Sequence, residues 1–208
     1  LAGAHAPKCR RRYQCEPIRG FMCHEGGLRI LMCNIARELA KFDRGMKPLL
    51  SFYADHYFRT YVQITEGAKA ADDSLAQLGY MQYNMETMER STSRYPDREH
   101  RLGPFWLGPL HDAYTISRMS PEGMADERRC AKYLNLWRNE LDDQVFVYDI
   151  AELSSHLKMS PPRIDEFVEF LNGHGRASKS HVSPTSFKTD IPLDELCELY
   201  REFSPDAQ

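Results

Sequence analysis

The stretch Gly173-His-Gly-Arg-Ala-Ser-Lys-Ser-His-Val-Ser-Pro-Thr-Ser-Phe-Lys-Thr-Asp-Ile-Pro192 lies between two helix-like runs. It carries Arg176, Lys179, His181 and Lys188, and Ser and Thr hydroxyls lie among them. Cations and hydroxyls are the groups that contact phosphate oxygens, and Ser183-Pro184 favours a turn. The stretch therefore predicts a β-hairpin, which is either solvated or a wing that contacts a nucleic-acid backbone.

The residues around this stretch extend the pattern to a winged-helix-like unit. Val145–Asp149 predicts a short strand, Ile150–Met159 a helix, and the apolar stripe from Ile164 to Leu171 a second helix. A last helix is expected from Leu193, with fraying after Ser204. The second helix holds Arg163 against three acidic residues, so it is a poor candidate for reading DNA; these are Asp165, Glu166 and Glu169.

A second basic group lies at the start of the chain. Lys8, Arg10, Arg11, Arg12 and Arg19 are opposed only by Glu16, and Tyr13 lies among them. Such a group either holds phosphates and stacks on a base or forms a solvated turn.

Between the two basic groups the sequence predicts alternating helices and strands. Apolar residues at helical spacing predict a helix from His24 to Asp43, and two β-rich runs follow on either side of Asp55-His56. That dipeptide is interpreted as a turn, because neighbouring residues of an extended chain point to opposite faces. Further predictions are strands at Lys47–Ala54, Tyr57–Ile64 and Gly79–Tyr83, helices at Ala68–Leu78 and Glu122–Leu141, and a mobile polar insertion at residues 84–101.

Composition narrows the functional classes. The 208 residues carry 27 Lys and Arg against 30 Asp and Glu, so nucleic-acid binding must depend on a local patch. The six cysteines include no C-x-x-C pair, which favours buried thiols in a reducing, cytoplasmic protein over a zinc site or a disulfide scaffold. No apolar run approaches the roughly 20 residues that cross a bilayer, so no membrane association is expected. The residues by themselves indicate an α+β protein and reveal no reaction.

Several segments, in order, resemble the tRNA (guanine-N2)-dimethyltransferases that modify guanine 26 of tRNA. The first is Ala2-Gly-Ala-His-Ala-Pro-Lys-Cys-Arg-Arg-Arg-Tyr13, followed by Cys23-His-Glu-Gly-Gly-Leu-Arg-Ile-Leu31. The others are Pro48-Leu-Leu-Ser-Phe52, Asp55-His-Tyr-Phe-Arg59, Leu78-Gly-Tyr80, Gly103-Pro-Phe-Trp-Leu-Gly-Pro-Leu-His-Asp112, and Ser183-Pro-Thr185 with Lys188-Thr-Asp190.

The resemblance implies a division of the chain into two domains. Residues 1–66 are expected to be the closing helix and strands of a class I, Rossmann-like methyltransferase domain. Residues 67–208 are expected to be the family's α+β tRNA-binding domain. The complete enzyme would be a monomer that methylates the exocyclic N2 of guanine with S-adenosylmethionine, and Ala2, Gly3 and His5 would lie near its active site.

The resemblance also implies what this chain lacks. The cofactor-binding half and the catalytic motif would lie before Leu1, so no catalytic or cofactor-binding residue is assigned and the chain is expected to be inactive alone. No paired cysteines occur between Tyr80 and Gly103, so no metal is expected. The main role would be tRNA binding by Arg10, Arg11, Arg12, Arg176, Lys179, His181 and Lys188. The alternative is a stand-alone RNA-binding module without catalytic activity.

Overall fold

The computed structural model describes residues 1–204, so the fraying predicted after Ser204 lies outside the described residues. Contacts divide the chain into two compact units. The first comprises Leu1–Tyr83 and Arg90–Met119, and the second comprises Asn84–Glu89 and the residues from Ser120 onward. Each unit combines helices and strands, which agrees with the predicted α+β class.

The first unit is built from four α-helices, one short 3-10 helix and five strands among the described residues. In chain order they are α1 (Ala6–Tyr13), the 3-10 helix (Gly20–Met22), α2 (Cys23–Ala40), β1 (Arg44–Ala54), β2 (Tyr57–Glu66), α3 (Ala68–Leu75), β3 (Leu78–Tyr83), β4 (Arg90–Ser93), β5 (Leu102–Trp106) and α4 (Ala113–Ser117).

Strands β1 and β2 form an antiparallel hairpin, with Arg44 opposite Glu66 and Ala54 opposite Tyr57. Asp55 has φ 54°, in the left-handed region that Asp tolerates in turns. The prediction that Asp55-His56 makes the turn is confirmed. The strand β2 leaves large apolar side chains in contact with solvent, since Tyr57, Tyr61 and Ile64 are all more than half exposed.

The core of this unit forms where α2 packs on β1 and β5. Leu28, Met32 and Ala36 recur every four residues along one face of α2, and they pack with Met46 and Trp106. Trp106 is 2% exposed, so its ring belongs to the core and has no surface free to stack on a base. Its Nε1 donates to the Pro109 carbonyl at 2.9 Å, so the buried polar atom of the ring is satisfied.

The predicted boundary after residue 66 falls inside the first compact unit. Helix α3 packs against β1 and α2, and β5 packs against α2. The antiparallel sheet β4-β3-β5 therefore belongs with the hairpin by contacts. The assignment of residues 1–66 to a methyltransferase domain stays a prediction.

The segment 84–101, predicted to be a mobile insertion, contains ordered structure. Arg90–Ser93 forms β4, which pairs antiparallel with β3 from Tyr83↔Arg90 to Tyr80↔Ser93. The sequence Arg-Ser-Thr-Ser shows no apolar alternation, so periodicity gave no sign of a strand. Backbone hydrogen bonds to β3 hold this segment as a strand, although its side chains show no strand pattern.

The second unit contains four helices and one small sheet within the described chain. Its elements are α5 (Glu127–Asn139), β6 (Tyr148–Asp149), α6 (Ile150–Leu157), α7 (Ile164–Leu171), β7 (Ala177–Lys179), β8 (Ser186–Thr189) and α8 (Leu193–Phe203). The antiparallel hairpin β7-β8 confirms the strand pair predicted for Gly173–Pro192, and β6 adds to its other edge in the order β6-β8-β7.

The core of the second unit is aromatic. The ring of Phe167 from α7 packs edge-on against Phe187 of β8 and Tyr200 of α8, at centroid distances of 5.8 and 5.2 Å. The strand predicted at Val145–Asp149 shortens to two residues, because Phe146 adopts φ 66° and interrupts the extended chain.

Within residues 1–204, no helix has both the length and the apolar character needed to cross a membrane. The longest of them, α2, has 18 residues and includes Glu25, Arg29, Arg37 and Glu38.

Candidate nucleic-acid interface

The basic group at the start of the chain is a helix, which the sequence pattern did not predict. Pro7 occupies the first turn of α1, where its missing N–H costs no hydrogen bond. Arg10, Arg11 and Arg12 form the last turn, where cations are favoured by the negative end of the helix dipole. The helix buries Ala6 and Cys9 and leaves the three arginines exposed.

The three arginines differ in their partners. Arg10 pairs with Glu16, and its second guanidinium contact to that carboxylate is 2.9 Å. This hydrogen bond, reinforced by the charge of Glu16, raises the pKa of Arg10. Arg11 and Arg12 make no ion pair with a carboxylate anywhere in residues 1–204. They are therefore available to an anionic partner without the breaking of a salt bridge.

The loop of Ala2, Gly3 and His5 precedes this helix, and Gly3 has a backbone reason to be glycine. Its φ is +82°, and a Cβ there would lie 2.8 Å from the carbonyl oxygen of Ile18. The carbonyl of exposed His5 accepts hydrogen bonds from Lys8 N and Cys9 N, each at 3.0 Å. These contacts fix the start of α1, and proximity of the loop to an active site stays a prediction.

The thiols near the start of the chain are mostly interior, as predicted. Cys9, Cys15 and Cys33 are buried, and Cys23 is half-buried. The Sγ of Cys15 donates to Tyr13 O at 3.0 Å and to Pro104 O at 3.2 Å. A hydrogen bond with Cys33, together with burial, raises the pKa of Cys15, so it remains a protonated structural thiol.

Two cations of the second unit, Arg176 and Lys179, reach solvent but already pair with carboxylates. Arg176 of the loop before β7 donates Nε to Asp190 and Nη2 to Asp143, both at 2.7 Å. These two hydrogen bonds raise the pKa of Arg176. Lys179 at the end of β7 places its Nζ 2.6 Å from Asp165 of α7. An RNA phosphate would have to displace a carboxylate at each position.

The other two predicted contacts of this hairpin are corrected by the structure. The side chains of His181 and Lys188 have no exposed surface, and both lie against the buried Glu140. His181 Nδ1 is 2.6 Å and Lys188 Nζ is 3.2 Å from that carboxylate, which also accepts from Ser180 Oγ at 2.7 Å. A side chain without exposed surface cannot reach a phosphate, so His181 and Lys188 leave the predicted set.

Glu140 is ionised at neutral pH because of these neighbours. Burial alone raises its pKa, but the charges of His181 and Lys188, with hydrogen bonds from His181 and Ser180, lower the pKa well below its ordinary value. His181 and Lys188 of the hairpin thus contact the interior carboxylate of Glu140. Because Glu140 lies about forty residues earlier in the chain, the sequence did not indicate this contact.

Sequence reasoning also missed an interior ion pair in the first unit. Glu25 and Arg29 are both fully buried in α2, with Arg29 Nη2 2.8 Å from Glu25 Oε1. Arg29 Nη1 donates to the carbonyls of Trp106 at 2.8 Å and Gly108 at 3.0 Å. The pair therefore anchors the Gly-Pro-Phe-Trp-Leu-Gly-Pro segment to α2. The signal available in the sequence was a Glu and an Arg four residues apart within an apolar helix.

Comparisons with known proteins agree with this architecture. The model of the family described as N2,N2-dimethylguanosine tRNA methyltransferase matches residues 1–201. The tRNA (guanine(26)-N(2))-dimethyltransferase of Pyrococcus furiosus is 39% identical over 97% of this chain and 55% of that protein. The enzyme of the same name from Methanosphaerula palustris is 34% identical over 94% of this chain and 57% of its own.

A solved structure is similar over nearly the whole chain. Trm1 from Pyrococcus horikoshii, in complex with S-adenosyl-L-methionine, superposes with a TM-score of 0.89 at 35% identity. The match covers 96% of this chain and 55% of the other. The chain thus spans about half the length of the curated relatives it matches.

Proposed function

The chain belongs to the N2,N2-dimethylguanosine tRNA methyltransferase family, and we propose that it is the part of such an enzyme that mainly binds tRNA. The reaction of the whole enzyme would be methylation of the exocyclic N2 of guanine 26. The family match over residues 1–201 carries this proposal and does not favour a stand-alone RNA-binding module. The unpaired arginines of α1 indicate where a phosphate backbone would be held.

S-adenosylmethionine would be the methyl donor of the whole enzyme, as suggested by the complex of the Pyrococcus horikoshii relative. The described residues of this chain do not fit that cofactor. In open α/β folds the cofactor lies at the carboxyl ends of parallel strands, whereas every strand pair within residues 1–204 is antiparallel. We therefore assign no step of methyl transfer to residues of this chain and expect no activity from it alone.

The hairpin β1-β2 supports an assignment to the closing strands of a larger methyltransferase sheet. In residues 1–204 the outer edge of β2 pairs with no strand, and the same strand exposes Tyr57, Tyr61 and Ile64. An uncovered edge beside exposed aromatic side chains is a surface that folded proteins ordinarily cover.

The second unit supports a winged-helix-like assignment. The order α5-β6-α6-α7-β7-β8 and the sheet order β6-β8-β7 are those expected for such a unit. The first turn of α7 carries Asp165 and Glu166, so this helix would repel phosphates. We propose that the unit supports the fold and the orientation of the RNA rather than reading a groove with α7.

The test is fluorescence-anisotropy binding of the 208-residue chain to unmodified tRNA over a salt series. We expect a steep salt dependence, and the variant Arg11→Ala/Arg12→Ala should reduce the slope by about two units, one for each phosphate that is no longer neutralised. The matched control is Lys41→Ala/Lys69→Ala, which removes two exposed cations that already pair with Glu38 and Asp73. If wild type and both variants show the same salt slope for tRNA binding, Arg11 and Arg12 do not contact the RNA.

Calorimetry tests the assignment of the cofactor site. Titration of S-adenosylmethionine into the chain is expected to release no binding heat, because the parallel strands that hold such a cofactor are not among the described elements. Tight binding would show that the chain carries a cofactor site of its own and would contradict the proposed division of labour.

A further inference from the structure

The segment Arg90–Arg101 is held in a defined shape by its own side chains. Asp97 Oδ1 accepts hydrogen bonds from Glu99 N at 2.8 Å and His100 N at 2.7 Å. The ring of His100 contacts Asp97 Oδ2 and Ser91 Oγ, both at 2.9 Å. The turn is thereby tied to β4, which itself pairs with β3. The hydrogen bonds from the backbone and side chain of His100 and the backbone of Glu99 lower the pKa of Asp97 to about 2, so its charge is committed to this turn.

Three arginines of this turn are exposed and meet no carboxylate among residues 1–204. They are Arg94, Arg98 and Arg101. Arg176 and Lys179 of the second unit are different, because carboxylates already hold them. The positive charge of the turn is therefore available to an external anion.

An exposed aromatic ring lies among these cations. Tyr95 is 69% exposed, and the Arg94 guanidinium lies 5.7 Å from its ring centroid. Pro96 follows it and restricts the backbone. An exposed ring beside guanidinium groups is the arrangement on which proteins stack unpaired bases while they neutralise the adjacent phosphates.

The turn adjoins the arginines of α1 within the same unit. Glu16 and Gly103 exchange backbone hydrogen bonds, with Glu16 N donating at 2.6 Å and Gly103 N donating at 2.8 Å. Glu16 is also the ion-pair partner of Arg10, and Arg101 lies two residues before Gly103. The backbone bridge between Glu16 and Gly103 therefore links the C-terminal end of α1 to the C-terminal end of the turn within the first unit.

We propose that residues 90–101 are a second RNA-binding element, hereafter the basic arm. Tyr95 stacks on an unpaired base, and Arg94, Arg98 and Arg101 contact the phosphates beside it. The proposal rests on the proposed tRNA-binding function and specifies a site for it outside α1. A duplex does not offer an unpaired base, so the arm distinguishes tRNA loops and junctions from continuous helices.

The experiment measures binding of the full chain to unmodified tRNA and to a perfectly paired RNA duplex of similar length. Tyr95→Ala is expected to weaken binding to tRNA by roughly 5- to 150-fold, the range for loss of one stacked base, and to leave duplex binding unchanged. Tyr95→Phe keeps the stacking face and should bind as wild type does. Failure of Tyr95→Ala to weaken tRNA binding would overturn the stacking role.

The charge of the arm is tested separately. Arg94→Ala/Arg98→Ala/Arg101→Ala is expected to lower the salt slope for tRNA by about two to three units. The control Lys41→Ala/Lys69→Ala/Arg163→Ala removes the same charge from cations that pair with Glu38, Asp73 and Glu166, and should change the slope by less than about one unit.

The outcomes separate this proposal from the proposed function. If wild type binds tRNA and only the variant of Arg11 and Arg12 loses affinity, tRNA binding stands and the basic arm is overturned. If wild type binds no RNA, both are overturned. If Arg94→Ala/Arg98→Ala/Arg101→Ala binds tRNA as wild type does but no longer binds anionic lipid vesicles, the basic arm is not an RNA site. The proposal is then also overturned.

Discussion

Two cation-rich regions look alike in the sequence and differ in the folded molecule. The hairpin region of the second unit presents Arg176, Lys179 and Lys188, but each of these cations meets a carboxylate. In the first unit, Arg11 and Arg12 of α1 and the three outward arginines of the basic arm meet none within residues 1–204. Clusters of Lys and Arg in a sequence therefore mark candidate patches, but the acidic residues that fold against them decide which patches keep a net positive charge.

The largest effect is expected at Arg29, a fully buried cation of the first unit that pairs with a carboxylate, as Lys188 does in the second unit. Arg29→Met removes the cation that lies 2.8 Å from the buried Glu25 carboxylate, and it removes the donor to the carbonyls of Trp106 and Gly108. Loss of one member of a buried ion pair costs about 3–5 kcal/mol. Urea unfolding followed by Trp106 fluorescence in a Trp137→Phe background measures it. A loss below about 1 kcal/mol, the range of surface pairs, would show that the pair is not the anchor proposed.

A large difference is also expected between two lysines of the hairpin region. Lys188→Met removes the ammonium group 3.2 Å from the buried Glu140 carboxylate and should cost about 3 kcal/mol, whereas Lys179→Met breaks a solvent-accessible pair and should cost less than about 1 kcal/mol. Trp137 fluorescence in a Trp106→Phe background reports unfolding of the second unit. Similar losses for the two variants would contradict the burial of Lys188.

The buried Glu140 predicts an acid-sensitive second unit. Its folded pKa is lowered, so its contribution to stability is present above the unfolded value of about 4.3 and is lost as pH falls through the folded pKa. The urea midpoint of the second unit should therefore fall as the pH is lowered below about 4. Glu140→Gln removes the titrating group, so its midpoint should change less over the same range. Parallel profiles would assign the acid sensitivity to other carboxylates.

The smallest expected effect is on RNA binding by the hairpin region. Arg176→Ala/Lys179→Ala should change the salt slope for tRNA by less than about half a unit, because carboxylates already neutralise these cations, whereas Arg11→Ala/Arg12→Ala should lower it by about two units. A reduction by the hairpin variant equal to that by the α1 variant would show that RNA displaces Asp190 and Asp165.

Apolar periodicity was sufficient for the long elements. The stripe on α2, the two strands around Asp55-His56 and the helices α6, α7 and α8 follow from spacings of two or of three and four residues. Periodicity failed for α1, where five of eight residues are polar or proline, and for β4, where no residue is apolar. Neither element buries a continuous apolar face. Their sequences therefore lack the apolar periodicity from which helices and strands are predicted.

The candidate interface was predictable only in part. The sequence singled out Arg10 to Arg12 and the hairpin cations, but it could not show that Arg176 meets Asp143 and Asp190 or that Lys188 meets Glu140. It also treated the basic arm as a mobile insertion, because the hydrogen bonds that shape the turn come from Asp97 and His100 rather than from apolar packing.

The sequence by itself determined the α+β class, the order of the main elements and, through its ordered motifs, membership in a tRNA methyltransferase family. Only the tertiary structure decided which cations face solvent without a carboxylate partner and which are neutralised by a carboxylate. The physical reason is that local spacing fixes hydrophobic periodicity within one element, whereas an ion pair depends on the distance between groups many residues apart, and only the packed chain sets that distance.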